Sequence, residues 1–163
     1  MDDKKILIHR SPSADTRSAD HMITKEELEK STSMHVSDVA KAMRWFADRL
    51  EEAGEKHDWT KFNYMDEFYK QFHNEQATGE GDWMTNPNGW YRKIHIVKER
   101  HHLKNRCPDD VDLFDVLEQI ADGVMAGMAR SGKYRQEPIP NGLLETAYHN
   151  TVKKLLDAID LRD

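Results

Sequence analysis

The sequence predicts an all-α fold, a compact single-domain bundle of about five or six helices. Three observations favour this class. Apolar residues recur at helical spacing in several segments, which glycine and proline residues separate. The length of 163 residues suits one domain with a real core. Charged residues make up 33% of the chain and hydrophobic residues 37%, a composition that suits helices with wide solvated faces around a modest core.

The N-terminal part, residues 1–32, is predicted to be a polar arm with one short helix. Thr24 followed by Glu27 has the form of a capping box, in which the two side chains bond each other's backbone N–H groups. This pair predicts a helix over roughly residues 25–30. The rest of the chain, 33–163, is predicted to form the helical domain.

Two helices are predicted in the first half of this domain. The first begins at the N-cap Ser33 and stops at Gly54, and its inward stripe comprises His35, Val39, Ala42, Met43, Phe46 and Leu50. The second is capped by Thr60, and its inward face comprises Met65, Phe68, Tyr69 and Phe72. Residues 74–89 contain several glycines and a proline, so they are predicted to form a long loop.

Three helices are predicted in the second half. One covers residues 90–103. The next opens after Pro108, and its core stripe comprises Phe114, Leu117, Ala121, Val124, Met125 and Met128. Residues 131–142 contain two glycines and two prolines and form a connection. The closing helix has an apolar stripe of Leu143, Ala147, Val152, Leu155, Leu156 and Ile159. No strand is predicted.

Charge and cysteine content narrow the function classes. The net charge of −6 argues against a broad surface for duplex nucleic acid, although a local cationic pocket is compatible with it. Cys107 is the only cysteine, which excludes an intrachain disulfide and suits a reducing compartment. The apolar run at residues 6–8 is too short for a signal peptide, and no later stretch is long enough to span a membrane. We therefore expect a cytoplasmic protein without a membrane partner.

Several histidines and aspartates stand where a fold could bring them together. His57 and Asp58 are adjacent just after Gly54, but one such pair is expected by chance in a chain of this composition. His35 lies on an apolar stripe, where a buried imidazole needs a partner. That partner is either a metal or, for an ordinary core histidine, a backbone carbonyl.

The segment after Trp90 adds further candidate ligands. His95, Glu99 and His102 are spaced by four and three residues, which places them on one face of an ideal helix. His101 points away from that face. Two imidazoles and a carboxylate on one inward face suit a transition metal. A solvated, charged helix face is the alternative interpretation.

Glu118 and Asp122 stand four residues apart on the helix that follows Pro108. Asp122 lies at the edge of an apolar stripe, where a carboxylate needs either solvent or a cation. A surface acid is the alternative here.

In chain order, these residues resemble the pattern of the HD-domain metal-dependent phosphohydrolase superfamily, whose fold is all-helical. The segment HDWTK, which runs from His57 to Lys61, is similar to the His-Asp-x-x-Lys form of the subgroups that hold two metals. The His101-His102 pair is similar to that of small HD-like proteins of phages and bacteria. The Gly-Tyr-Pro signature of the cyclic-dinucleotide branch is missing after this pair, so the resemblance does not extend to that substrate.

The resemblance implies a site of one or two divalent ions, with Mn, Fe, Co, Ni or Zn as candidates and Mg as a further one. It implies one ion at His35, His57, Asp58 and Asp122, and a second at His95, His101 and His102, with Asp58 bridging. Lys61 is expected to neutralise charge on a phosphate, and Asp58 and Lys61 are the expected catalytic residues. Arg17 and Arg100 are further candidates for phosphate contact, since the guanidinium fork matches phosphate geometry.

The sequence therefore predicts a metal-dependent phosphohydrolase that acts on a small nucleotide or a related phosphate ester. Two alternatives stay open. One is an HD-type di-iron oxygenase, because members of the same superfamily with similar motifs activate dioxygen. The other is a protein that binds a metal or ligand without turnover.

Overall fold

The computed structural model describes residues 5–9, 16, 19–78, 84–134 and 138–162. The fold is mostly α-helical, as the sequence predicts. The described residues divide into two compact units, one from Met1–Glu51 and Val152–Asp163 and the other from Glu52–Thr151. No helix in these described ranges is long and apolar enough to cross a membrane.

The first unit contains two short strands and most of the first helix. Strands β1 (Ile6–His9) and β2 (Ile159–Arg162) pair in parallel, with Ile6 opposite Ile159. Neither strand was predicted. Ile159, expected to continue the closing helix, instead begins β2. Four-residue strands are too short to show a clear alternating pattern, so hydropathy alone does not reveal them.

Helix α1 (Lys25–Lys56) begins where the capping box predicts. The Glu27 backbone N–H donates to Thr24 Oγ1 at 3.2 Å, and the Thr24 N–H donates to Glu27 Oε2 at 2.8 Å. The helix then continues without a break through Ser33, so the two helices predicted here are one. The boundary predicted between residues 32 and 33 falls within it.

The stripe of α1 that was predicted to face inward is largely exposed. His35, Val39 and Met43 are all exposed, with 59% of the Met43 surface accessible. Helical spacing shows that these residues share a face, but it does not show whether another element covers that face. The expected burial of His35 is therefore wrong.

The second unit contains the other helices. They are α2 (Trp59–Asn63), α3 (Met65–Thr78), a π-helical segment (Tyr91–His95), α4 (Ile96–Lys98), α5 (Leu113–Ser131) and most of α6 (Leu143–Ala158). The helix predicted over residues 90–103 thus ends at Lys98. Glu99 has an extended backbone, with φ −84° and ψ 128°, and turns follow it.

A small apolar core holds the second unit together. It consists of Leu103, Val111, Val116, Leu143 and Ala147, with Leu113 packed beside it. The start of α5 is fixed by a capping box between Asp112 and Asp115. This box anchors the helix that carries Glu118 and Asp122.

Candidate metal centre

Six of the predicted metal ligands meet within the second unit. Donor atoms of Asp58, His95, His101 and His102 lie within 4.8 Å of one another, and so do donor atoms of His57, His101 and Asp122. The seventh predicted ligand, His35, belongs to the first unit and is exposed there. His35 is in neither group of donor atoms. The other six residues form a cluster of histidines and aspartates that could bind a metal.

Asp58 stands at the middle of this cluster, in a backbone conformation that costs energy. Its φ of 57° is in the left-handed region, and it is the non-glycine residue with a positive φ in the described part of the chain. Such a conformation costs on the order of 1–3 kcal/mol and is common at functional sites. Asp58 precedes α2, but its side chain makes no capping hydrogen bond. Its carboxylate is directed instead to the histidines.

The two carboxylate oxygens of Asp58 have different neighbours. Oδ1 lies 3.4 Å from His95 Nε2 and 3.9 Å from His101 Nε2. Oδ2 accepts a hydrogen bond from Lys61 Nζ and lies 3.5 Å from His57 Nε2. One carboxylate therefore connects both groups of histidines.

His95 is buried and held by a hydrogen-bond relay. The Thr60 hydroxyl donates to Glu99 Oε1 at 2.6 Å and lies 2.7 Å from His95 Nδ1. Because the hydroxyl has a single proton and donates it to Glu99, His95 Nδ1 must carry its own proton and donate to Thr60. We infer this tautomer from the network. It leaves the lone pair of His95 Nε2 directed toward Asp58.

Glu118 orients two further histidines with one oxygen atom. His57 Nδ1 donates to Glu118 Oε1 at 2.9 Å, and His101 Nδ1 lies at the same distance from the same oxygen. The alignment at His101 is poor, so this contact is an electrostatic one rather than a hydrogen bond. Both rings present Nε2 to the cluster. A carboxylate behind a ligating histidine is the usual outer partner in protein metal sites.

His102 enters the cluster from the turn after α4. Its Nε2 atom lies 2.8 Å from His95 Nε2. The predicted helical register, with His102 facing the site and His101 turned away, is wrong because the helix ends before both residues. The extended backbone at Glu99 turns both histidines inward.

Two histidines of the cluster are held neutral. Burial is the main cause that lowers the pKa of His95 to about 3, followed by the repulsion that a proton on His95 would meet from a proton on His102. Burial is also the main cause that lowers the pKa of His102 to about 4, followed by the corresponding repulsion with His101. Neutral imidazoles have free lone pairs, which is the form that binds metals.

His57 is in the opposite situation because two carboxylates flank it. Asp122 and then Glu118 raise the pKa of His57 to about 10. The Asp122 oxygen lies 3.6 Å from His57 Nε2, beyond a hydrogen bond, so that attraction is one of charge. In return, His57 lowers the pKa of Asp122 to about 2. Burial opposes the same change at Glu118, but the close contact with His101 and the hydrogen bond from His57 outweigh it and lower the pKa of Glu118 to about 2. This side of the cluster favours a positive charge.

Buried atoms without hydrogen bonds test whether the cluster fits a metal. Asp58 Oδ1 and both ring nitrogens of His101 have no hydrogen-bond partner among the described residues. Buried polar atoms normally have one, so these atoms need another partner. Ligands held about 2.1 Å from one ion lie about 3.0–3.4 Å apart in octahedral or tetrahedral geometry. The spacings of 2.8, 3.4 and 3.9 Å among these donor atoms bracket that range. The residues therefore could hold a metal ion.

The residues predicted to contact phosphate differ in their surroundings. Lys61 is half-buried and pairs with Asp58 at the edge of the cluster. Arg100 forms a bidentate pair with Asp115, with both distances 2.8 Å, and also bonds Asp110. These carboxylates raise the Arg100 pKa further above its ordinary value. Because its guanidinium group is bonded to these carboxylates, Arg100 links the segment before His101 to the start of α5. Arg17 lies outside the described residues.

Three residues support the histidines in a way that the sequence did not predict. Glu118 contacts His57, and Thr60 contacts His95. Glu99 in turn accepts a hydrogen bond from Thr60. The spacing of Glu118 and Asp122 by four residues was a usable signal, since it places both carboxylates on one face of α5. Thr60 was expected to cap a helix and Glu99 to share a helix face with His95 and His102. Their contact with each other was not predicted, because it joins segments 39 residues apart.

The chain has no match among protein-family models, curated proteins or solved structures. The resemblance to HD-domain phosphohydrolases therefore stays a prediction.

Proposed function

We propose that this chain is a metal-dependent phosphohydrolase that acts on a small nucleotide or a related phosphate ester. The observation that carries the proposal is the convergence of Asp58, His95, His101 and His102 within 4.8 Å, beside the ammonium group of Lys61. Neutral imidazoles with a carboxylate favour Mn, Fe, Co, Ni or Zn over Mg, which prefers oxygen ligands.

A bound divalent ion supplies a water of lowered pKa and polarises a phosphoryl oxygen. The protein groups hold the geometry in which that chemistry is useful. Glu118 keeps the proton of His57 on Nδ1, and Thr60 keeps that of His95 on Nδ1. The Nε2 lone pair of His95 is thereby fixed toward the centre of the cluster before any ligand binds, and Nε2 of His57 is held beside Asp58 and Asp122.

Lys61 supplies the positive charge for a phosphate. An ammonium group has three donors, and Asp58 accepts from one of them. The Lys61 side chain is 28% exposed, so its other donors can meet an anion from solvent. Charge that develops on the phosphate oxygens would be stabilised by this preoriented group. The net acidic chain disfavours a polymeric nucleic acid, which supports a small substrate.

The test is release of inorganic phosphate or pyrophosphate from a panel of ribo- and deoxyribonucleoside mono- and triphosphates. The protein is assayed with Mn, Co, Ni or Mg added singly, and with EDTA as the blank. We expect release from at least one nucleotide that depends on the ion and is lost in Asp58→Ala. A metal-loaded protein that releases nothing from the whole panel would contradict the proposal. Two irons with a visible or EPR signature would favour the oxygenase.

A further inference from the structure

We propose that the centre holds a single metal ion, bound by Asp58 Oδ1, His95, His101 and His102, and that the Lys61 ammonium takes the place of a second ion at Asp58 Oδ2. This inference rests on the metal site of the proposed function but not on the reaction. It replaces the two-ion arrangement, with Asp58 as the bridge, that the sequence resemblance implies.

Competition for His101 is the first argument. Both groups of donor atoms contain this residue. Its Nδ1 faces Glu118 at 2.9 Å, which leaves Nε2 as the nitrogen available to the cluster. One nitrogen lone pair binds one ion, so the two groups cannot both be complete. Once His101 joins the group of four, the other group keeps only His57 and Asp122.

The two oxygens of Asp58 give the second argument. Oδ1 is buried without a hydrogen-bond partner among the described residues, and it faces His95 and His101. Oδ2, in contrast, already accepts from Lys61 Nζ. A second ion on Oδ2 would have to displace this ammonium or lie close to it. Two positive charges so close together repel each other, and the repulsion is strong in a partly buried site. Lys61 therefore already supplies a positive charge to Oδ2, whereas Oδ1 is the oxygen left for a metal ion.

Charge balance gives the third argument. Three carboxylates contact the histidines: those of Asp58, Glu118 and Asp122. Even with every imidazole neutral, one divalent ion and the Lys61 ammonium already match this charge, and a proton on His57 would add one further positive charge. A second divalent ion would leave excess positive charge in a site where His95 and His101 are almost completely buried. Uncompensated buried charge of either sign is unfavourable.

The experiment measures how many Co²⁺ ions each chain binds. Purified protein is stripped with chelator, titrated with Co²⁺ in a calorimeter and, after dialysis, analysed for metal by mass spectrometry. We expect one tightly bound ion in the wild type. Lys61→Met removes the charge but keeps an aliphatic chain of similar length, and we expect a second Co²⁺ to bind. Lys61→Arg keeps the charge and is the matched control, with one ion expected.

The outcomes separate the two proposals. Two tight ions in the wild type, or a single ion in a Lys61→Met protein that has the wild-type circular dichroism spectrum, would overturn the inference. If Lys61→Met does not fold, the wild-type count alone decides. One ion in a wild type that hydrolyses none of the nucleotides would leave this inference standing and reject the proposed function. No bound ion in the wild type would reject both.

Discussion

The two units of the molecule bury different kinds of residue. In the second unit the buried residues include seven polar ones within the described ranges, namely Thr60, His95, Glu99, His101, Asp112, Asp115 and Thr151. In the first unit Ser31 is the corresponding residue among the described ones. Exposed apolar side chains occur in both units, such as Met43 in α1 and Met125 on the stripe of α5 that was predicted to be buried. Burying polar groups is unfavourable unless each has a partner. Four of the seven, Thr60, His95, Glu99 and His101, belong to the histidine cluster or to its hydrogen bonds.

Two histidines, one from each unit, illustrate the limit of sequence periodicity. His35 stands on an apolar stripe and was expected to be buried, yet it is exposed. His101 was expected to point away from the site, yet it is buried in the middle of it. A periodic pattern identifies the shared face of a helix, but the end of the helix and the surrounding contacts decide which side chains are enclosed.

The largest expected effect is that of Asp58→Ala. This change removes the carboxylate that both groups of histidines share, so most of the bound metal should be lost and the melting temperature should fall. Metal analysis and thermal unfolding in the presence of Co²⁺ measure the two effects. Asp48→Ala, at an exposed aspartate of α1 in the first unit, is the matched control and should change neither. Unchanged metal content in Asp58→Ala would show that the cluster is not the metal site.

Lys61→Ala is expected to reduce turnover and to keep the ion at the group of four. The loss should be about 10²- to 10³-fold, the size seen when one preoriented electrostatic donor is removed. Lys61→Arg should restore part of the activity, since the planar guanidinium has the charge but a different reach. Steady-state phosphate release measures both. Full activity in Lys61→Ala would refute the role of the ammonium in the reaction.

Glu118→Gln should weaken metal binding without abolishing it. The amide can accept from one histidine but has no charge to hold both His57 and His101, so an affinity loss of about 10- to 100-fold is expected. Co²⁺ titration measures the affinity, and nitrogen NMR of the imidazoles reports their tautomers. Glu145→Gln, at an exposed position of α6, is the control. An unchanged affinity together with unchanged tautomers would mean that Glu118 does not orient these rings.

The metal-free protein should be most stable near pH 6.5. His95 and His102 have folded pKa values of about 3 and 4, below the ordinary 6.5, so the stability they contribute is present above pH 6.5 and is lost as the pH falls toward 4. His57 has a raised pKa of about 10, so its contribution is present below pH 6.5 and is lost as the pH rises toward 10. Urea unfolding in EDTA, measured across this pH range, tests both the loss of stability below pH 6.5 and the loss above it. A steady rise in stability from pH 6.5 to pH 10 would contradict the account of His57.

The smallest expected effect is that of His35→Ala. Because this side chain is exposed, its removal should leave metal content unchanged and should alter the unfolding free energy by no more than about 0.5 kcal/mol. Metal analysis of the variant beside the wild type is sufficient. Loss of the ion in His35→Ala would place this residue in the centre after all and would break the contrast between the units.

The sequence predicted the helical class and six members of the cluster, because helix periodicity and ligand chemistry are both visible in residue types. It could not predict that the helix after Trp90 ends at Lys98, since no proline or glycine marks the stop. The engagement of Arg100 by Asp115 was also hidden, because it depends on a contact across 15 residues. Such tertiary contacts decide which charged side chains are available to a ligand.

The position of a bound ion is the most direct test of the account. Crystals of the Co²⁺-loaded protein, measured at the cobalt absorption edge, would locate each ion by its anomalous signal. We predict one peak per chain, bonded to Asp58 Oδ1 and to the Nε2 atoms of His95, His101 and His102, with Lys61 still paired to Asp58 Oδ2. A peak elsewhere, or a second peak between His57 and Asp122 with Lys61 displaced, would contradict it.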